Sequence, residues 1–177
     1  MDRGNDYERA FEAYLHAHNL CCVAIDETRR SQFADAPIKS IDFIVHSPSG
    51  AKLLIDVKGR RYPTGSPGRE RHVWECWSTA DDISGLERWV TLFGAGYQGL
   101  LVFSYQLGEA VAVPEDTDDL WIWQGQRYLL RAVPVAGYRE HMKVRSPRWG
   151  TVTLPRAAFR RLVRPLSFFT NAEQALV

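Results

Sequence analysis

Scarce cysteine and the absence of any long apolar run are the first features of this chain, and each narrows what it can be. Cys21, Cys22 and Cys76 are an odd number of thiols, and two are neighbours that cannot easily bridge each other. A disulfide framework is thereby excluded, and a reduced, cytoplasmic setting is expected. The cysteines match no zinc-ligand spacing, and His16 and His18, two apart on a predicted helix, point to different sides. No stretch approaches the roughly 20 apolar residues that span a bilayer. The charged start MDRGNDYERA has no apolar segment behind it, so neither a secretory signal nor a membrane partner is expected. Internal repeats and low-complexity tracts are absent as well.

Net charge is also nearly missing, at +1, but the small total hides a segregation. Residues 75–119 hold nine acids and one base, Arg88, whereas residues 127–165 hold ten Lys or Arg against one acid, Glu140. This pattern fits a face that meets a polyanion opposite one that avoids it, and it equally fits two solvated surfaces that cancel. What the chain does have is apolar residues, 45% of 177, enough for a real core. At that length one domain, residues 1–177, is expected.

Asn5 to about His18 reads as a helix, with Asn5 as cap, Glu8 three residues on as in a capping box, and Tyr7, Phe11, Tyr14 and Leu15 sharing one sector. Residues 40–46 and 51–58 form a hairpin around Ser47-Pro48-Ser49-Gly50, where Pro48 and Gly50 suit a type I turn closed by a bulge. The turn pairs Ser47 with Ala51 and hence Asp42 with Asp56. It puts Ile41, Phe43, Val45, Leu53, Ile55 and Val57 on one face and Asp42, His46, Lys52, Asp56 and Lys58 on the other. Beyond it the pattern predicts a basic loop at 60–71, a strand at 72–77, a helix at 81–93 ended by Gly94, and a buried strand at 97–105. A second hairpin around Gln124-Gly125-Gln126, a strand at 151–154 and a short helix between Pro155 and Pro165 follow. The order of elements is that of an α/β fold.

Two carboxylates opposite each other across a hairpin repel, and a bound cation removes the penalty. Asp56 and Lys58, one residue apart on a strand, leave from the same side, so a carboxylate that holds a metal has an ammonium beside the bound water or phosphate. Hard oxygen ligands of this kind suit Mg²⁺, or Mn²⁺ in its place, which takes one or two protein carboxylates together with water and phosphate oxygens. Such a metal lowers the pKa of a water and neutralises phosphoryl charge. Glu8, at the border of the helix's apolar stripe, is placed to complete the site; Glu12 lies farther round, and Glu8 also fits a purely capping role. The alternative for Asp56 and Lys58 is two exposed charges on an ordinary strand.

These residues resemble a family. YERAFEAYL, SIDFIV and LLIDVKGR, carrying Glu8, Asp42, Asp56 and Lys58, are similar to the E…D…(D/E)xK pattern of the PD-(D/E)XK nuclease superfamily, and in particular to Holliday-junction-resolvase-like endonuclease domains. Asp6 to Glu12, DYERAFE, also resembles the pattern of the HYExAFE family, with Asp6 in place of its His. The resemblance covers residues 5–105 and implies a restriction-endonuclease-like αβββαβ core with a central mixed sheet. Glu8, Asp42 and Asp56 would be its metal ligands and Lys58 its catalytic lysine. Ile41 stands where the superfamily name has Pro.

Outside that core, residues 119–166 are expected to form a β-rich basic extension. In it Arg139, Lys143, Arg145 and Arg148, with Tyr138 and Trp149, either grip a phosphate backbone and stack on a base or are an ordinary extension with core aromatics. Arg60 and Arg61 follow Lys58 and are expected to leave the strand for a loop beside the site. The reading is a metal-dependent DNA endonuclease. Its alternatives are a nuclease fold that binds nucleic acid without cutting it, and a protein-interaction domain using the acidic segment. Symmetric cleavage of both strands of a duplex would favour a homodimer.

Overall fold

The turn residues fix the first sheet contacts. Ser47 and Ala51 close the loop through Ser47 N–H to Ala51 O at 2.9 Å, and Gly50 takes φ 92°, a left-handed conformation that glycine adopts at little cost. The computed structural model describes residues 3–25, 39, 41–66 and 68–171, with side chains from Asp6 onward. Its elements are α1 (Arg3–Ala17), β1 (Cys21–Ala24), β2 (Phe43–His46), β3 (Lys52–Tyr62), β4 (Ser78–Thr79), α2 (Ala80–Phe93), β5 (Tyr97–Leu107), β6 (Leu120–Trp123), β7 (Gln126–Pro134), α3 (Val135–His141), β8 (Lys143–Ser146), β9 (Thr151–Thr153), α4 (Arg156–Leu162), β10 (Arg164–Pro165) and α5 (Leu166–Thr170).

Among the described residues the main sheet runs β1-β2-β3-β5-β7-β10, with β6 also paired to β7. Only β3 and β5 are parallel, joined through α2; the remaining pairs are antiparallel. The α/β class with a mixed sheet is therefore as expected. Phe11, Tyr14 and Leu15 of α1 and Leu166 and Phe169 of α5 pack with Phe43, Val45, Leu53, Ile55 and Val57 on one face. Ile83 and Leu86 of α2, Tyr138 of α3 and Ala158 of α4 cover Leu54, Leu101, Phe103 and Val133 on the other. Each large apolar side chain so buried contributes roughly 2 kcal/mol of transfer free energy.

Several expectations change. Helix α1 begins at Arg3, so Asn5 lies inside it and does not cap it. The hairpin register is the predicted one, Phe43 opposite Ile55 and Val45 opposite Leu53, but Ile41 joins the α2 side of the core because the chain bends at Asp42, one residue before β2. Ser40, the first residue of the predicted strand, lies outside the described residues. Residues 72–77 are not a strand: they run irregularly, held by Tyr105 Oη donating to Glu75 O at 2.9 Å and by Trp74 stacked on Tyr62 at 3.6 Å. Helix α4 stops at Leu162, and Arg164 and Pro165 instead edge the sheet beside Ala132 and Arg131.

The predicted extension is not an appendage. Its strand β7 pairs with β5 from Leu100–Pro134 to Gln106–Tyr128, which makes it an inner strand of the main sheet. The acidic segment does not form one face either: Asp119 accepts from Tyr14 Oη at 2.7 Å and from Ser167 N–H at 2.8 Å, tying α1 to α5, while Asp82 is buried elsewhere. All three cysteines are free. Among the described residues no helix is long and apolar enough to cross a membrane.

Candidate active site

Strand β3 carries Asp56 and Lys58 on the side that faces α2, with Ile55 and Val57 in the opposite core. Asp56 is buried in mid-sheet, beside Leu101 of β5. Asp42, at the bend before β2, is next to it in register, and its Oδ2 accepts from Val57 N–H at 2.6 Å. Lys58 Nζ donates to Asp56 Oδ1 at 3.1 Å and lies 2.8 Å from Oδ2. Oδ2 receives no hydrogen bond of acceptable angle, so its charge is matched while its lone pairs are not.

A third carboxylate, which the sequence reading did not single out, completes the surroundings of Lys58. Asp82 Oδ2 lies 3.1 Å from the ammonium and also accepts from Ser78 Oγ at 2.8 Å and Thr79 N–H at 2.9 Å. Thr79 Oγ1 in turn accepts from Asp82 N–H at 3.1 Å, which makes a capping box at the start of α2. The Thr79-x-x-Asp82 spacing is a visible signal for that box; its proximity to Lys58 is tertiary and is not. Lys39 pairs with the other Asp82 oxygen.

Burial dominates the electrostatics. It pushes Asp42 up to about 6, aided by the nearby Glu8 charge and opposed by the Val57 N–H and Lys58. It pushes Asp56 up to about 7, with Asp42 and Asp82 adding to the rise and Lys58 opposing it. For Lys58 burial works the other way, but Asp56 and Asp82 outweigh it and keep the ammonium protonated. Burial would raise Asp82 too, yet Lys58, Lys39 and the Thr79 N–H together hold it well below the usual carboxylate range. Glu8 is exposed on α1 within electrostatic reach of Asp42, whereas Glu12 acts on Cys22. The structure thus brings Glu8 within electrostatic reach of Asp42, and Glu12 within reach of Cys22.

No protein-family model matches the chain, and no curated protein matches it; the HYExAFE pattern has no matching model behind it. Among solved structures, Hjc of Archaeoglobus fulgidus, a Holliday junction resolvase from an archaeal hyperthermophile, superposes with a TM-score of 0.51. The match is 11% identical and covers 89% of this chain and 93% of that one. The fold is restriction-endonuclease-like. In this fold β3 is the strand with most to position, and Gly59 shows how tightly its back is packed. A Cβ at Gly59 would overlap Cγ and Cδ2 of the Tyr7 ring, and Tyr7 immediately precedes Glu8. Gly59→Ala is expected to cost on the order of 2 kcal/mol, read by urea denaturation, and to shift α1 with Glu8. An unchanged midpoint would show that Tyr7 does not seat the helix.

Arg60 and Arg61 remain in β3, opposite Tyr105 and Gln106, because parallel pairing continues past Gly59. Their side chains consequently leave from opposite faces. Arg60 is half-buried: its guanidinium donates to Gly59 O at 2.7 Å and to Trp77 O, and lies 3.9 Å from the Trp77 ring centroid. Arg145 approaches the same ring at 5.0 Å, and Arg148 lies 5.4 Å from Trp149. Arg61, Arg145 and Arg148 are exposed. Tyr138 is fully buried, donating to Cys76 O at 2.7 Å, so it is core and not part of a binding surface.

Proposed function

We propose that this protein is a divalent-metal-dependent endonuclease that hydrolyses phosphodiester bonds in DNA. The observation that carries the reading is the juxtaposition of a half-buried carboxyl, Asp42, and a buried one, Asp56, with the Lys58 ammonium 2.8 Å from the latter. The restriction-endonuclease-like fold supports it.

The residues fit a metal. No three His, Cys, Asp or Glu among the described residues already form a cage, but Mg²⁺ or Mn²⁺ needs only one or two protein carboxylates. Asp42, Asp56 and Asp82 set three carboxylates against the two ammonium groups of Lys39 and Lys58, an excess of one negative charge when all are ionised. The incompletely hydrogen-bonded Asp56 Oδ2 offers lone pairs in the middle of that excess. Asp42 and Asp56 would hold the ion, with Glu8 beside them. Bound there, it would supply a Lewis acid for water and phosphoryl oxygen.

The chain's own groups do the rest. Lys58, held by Asp56 and Asp82, keeps a proton and a positive charge where the attacking water or the developing phosphorane charge would lie. Asp82 and the α2 capping box fix that ammonium in place. Cutting both strands of a duplex would call for a second copy related by a two-fold axis.

The test is cleavage of labelled duplex, nicked, branched and single-stranded DNA with Mg²⁺ or Mn²⁺, alongside Asp56→Ala and Lys58→Ala proteins. Cleavage by the parent that both substitutions abolish is expected. A folded parent that cuts none of these, yet binds DNA in a salt-sensitive way that survives both substitutions, would instead be a non-catalytic binding module.

A further inference from the structure

We propose that Trp149 and Arg148, on the turn between β8 and β9, form a base-stacking site that selects DNA with an unstacked base next to the bond to be cut. The inference rests on the nuclease reading of the adjoining site and adds the shape of the substrate.

The argument begins with exposure. Trp149 is 70% exposed and Val144, on the preceding strand, 68%; an indole is large and apolar, and it usually finds cover in a core or an interface. The surroundings of Trp149 say what kind of partner would cover it. Lys143, Arg145 and Arg148 flank it, and no Asp or Glu occurs from His141 to Asn171. The Arg148 guanidinium lies 5.4 Å from the indole centroid. An aromatic face whose own segment carries cations and no acid matches a nucleobase attached to its phosphates better than a protein surface, because stacking is sequence-tolerant and the cations meet the backbone.

Position supplies the link to the chemistry. The turn Pro147–Trp149 is a single 3-10 turn closed by Gly150 N–H to Pro147 O at 3.3 Å, with Gly150 at φ 57°. Gly150 O then accepts from Ala80 N–H at 2.9 Å, and Thr151 and Val152 pair with Thr79 and Ser78. The turn is thus pinned to the start of α2, where Asp82 holds Lys58 at 3.1 Å. Between them Arg60 and Arg145 share the Trp77 ring, at 3.9 and 5.0 Å, and Arg60 makes no ion pair among the described residues. Arg60 follows Lys58 two residues on along β3, Trp77 lies between Arg60 and Arg145, and Arg148 and Trp149 come three and four residues after Arg145. In continuous duplex the bases are stacked on each other, out of an indole's reach; a single-stranded extension offers them.

The experiment measures binding by fluorescence anisotropy with the full chain in EDTA, so that cutting does not intervene. The probes are a labelled duplex and the same duplex with a single-stranded extension. The extended probe is expected to bind about tenfold more tightly, the worth of one stacked base. Trp149→Ala should erase that gap without changing duplex affinity, and Trp149→Phe should keep most of it. Equal binding of both probes by the parent, or an equal loss on both with Trp149→Ala, overturns the stacking site while leaving the nuclease reading intact. No salt-sensitive binding of either probe overturns the nuclease reading and this inference together.

Discussion

Asp56→Asn is expected to abolish cleavage and, at the same time, to make the metal-free protein harder to unfold at pH 8. The loss of activity, on the order of a thousandfold or more, follows from removing a charge that both holds the ion and positions Lys58. The gain in stability follows from burial. Asp56 is raised toward neutrality because the fold disfavours its ionised form, and each pKa unit corresponds to about 1.4 kcal/mol. A neutral isostere relieves that penalty, by on the order of 2 kcal/mol once some is shared with Asp42. At pH 5, where Asp56 is largely protonated in the folded protein, the difference should shrink. Lys58→Ala is equally inactive but shifts stability the other way, because it strips Asp56 and Asp82 of their shared counter-ion; about 3 kcal/mol is typical of such a break. Denaturation curves at the two pH values decide the matter. If Asp56→Asn unfolds more easily than the parent at pH 8, the carboxyls are not in conflict and the electrostatic argument for a metal fails.

The second expectation concerns the parent protein and its ion. Asp42 and Asp56 bind protons more tightly folded than unfolded, so between about pH 4 and 7 the native state carries more protons and stability falls as pH rises. Asp82 has the opposite sign: its folded pKa is depressed, so its contribution is present above the unfolded value and disappears as pH drops below about 4. Metal-free protein should therefore melt highest in mildly acid solution. Mg²⁺ should raise the melting temperature strongly at pH 8, where both carboxyls must ionise to bind it, and little at pH 5. Thermal melts with and without Mg²⁺ and Mn²⁺ at the two pH values test this. A metal effect that is absent at pH 8, or equal at both, would remove Asp42 and Asp56 as ligands.

The sheet-forming half of the site was legible because its signals are local. Gly50 and Pro48 set the turn, the turn set the register, and the register placed Asp42 against Asp56. What failed failed for tertiary reasons. Ile41 was placed by simple alternation, which the bend at Asp42 breaks. Arg60 and Arg61 followed a glycine and looked like loop, but Gly59 is there to admit the Tyr7 ring, and pairing with β5 carries the strand on to Tyr62. Asp82 is invisible as a partner of Lys58 because only the packing of α2 against β3 brings it there. Tyr138 and Trp149 each have an arginine as neighbour, and burial separates them.

Strand β7 has a consequence for how this protein is put together. The eleven-residue strand β5, apolar and buried along most of its length, has one side on β3 and the other on β7. A chain ending after β5 would leave that side bare, a long flat edge ready to pair with another copy of itself. The segment that bears Glu8, Asp42, Asp56 and Lys58 is therefore no portable cassette: grafted or truncated without β7, it is set to aggregate before it can work. Assembly must also wait for pairings between residues far apart in sequence, which are slow to form, so the pace at which chemistry becomes available is set by strands that take no part in it.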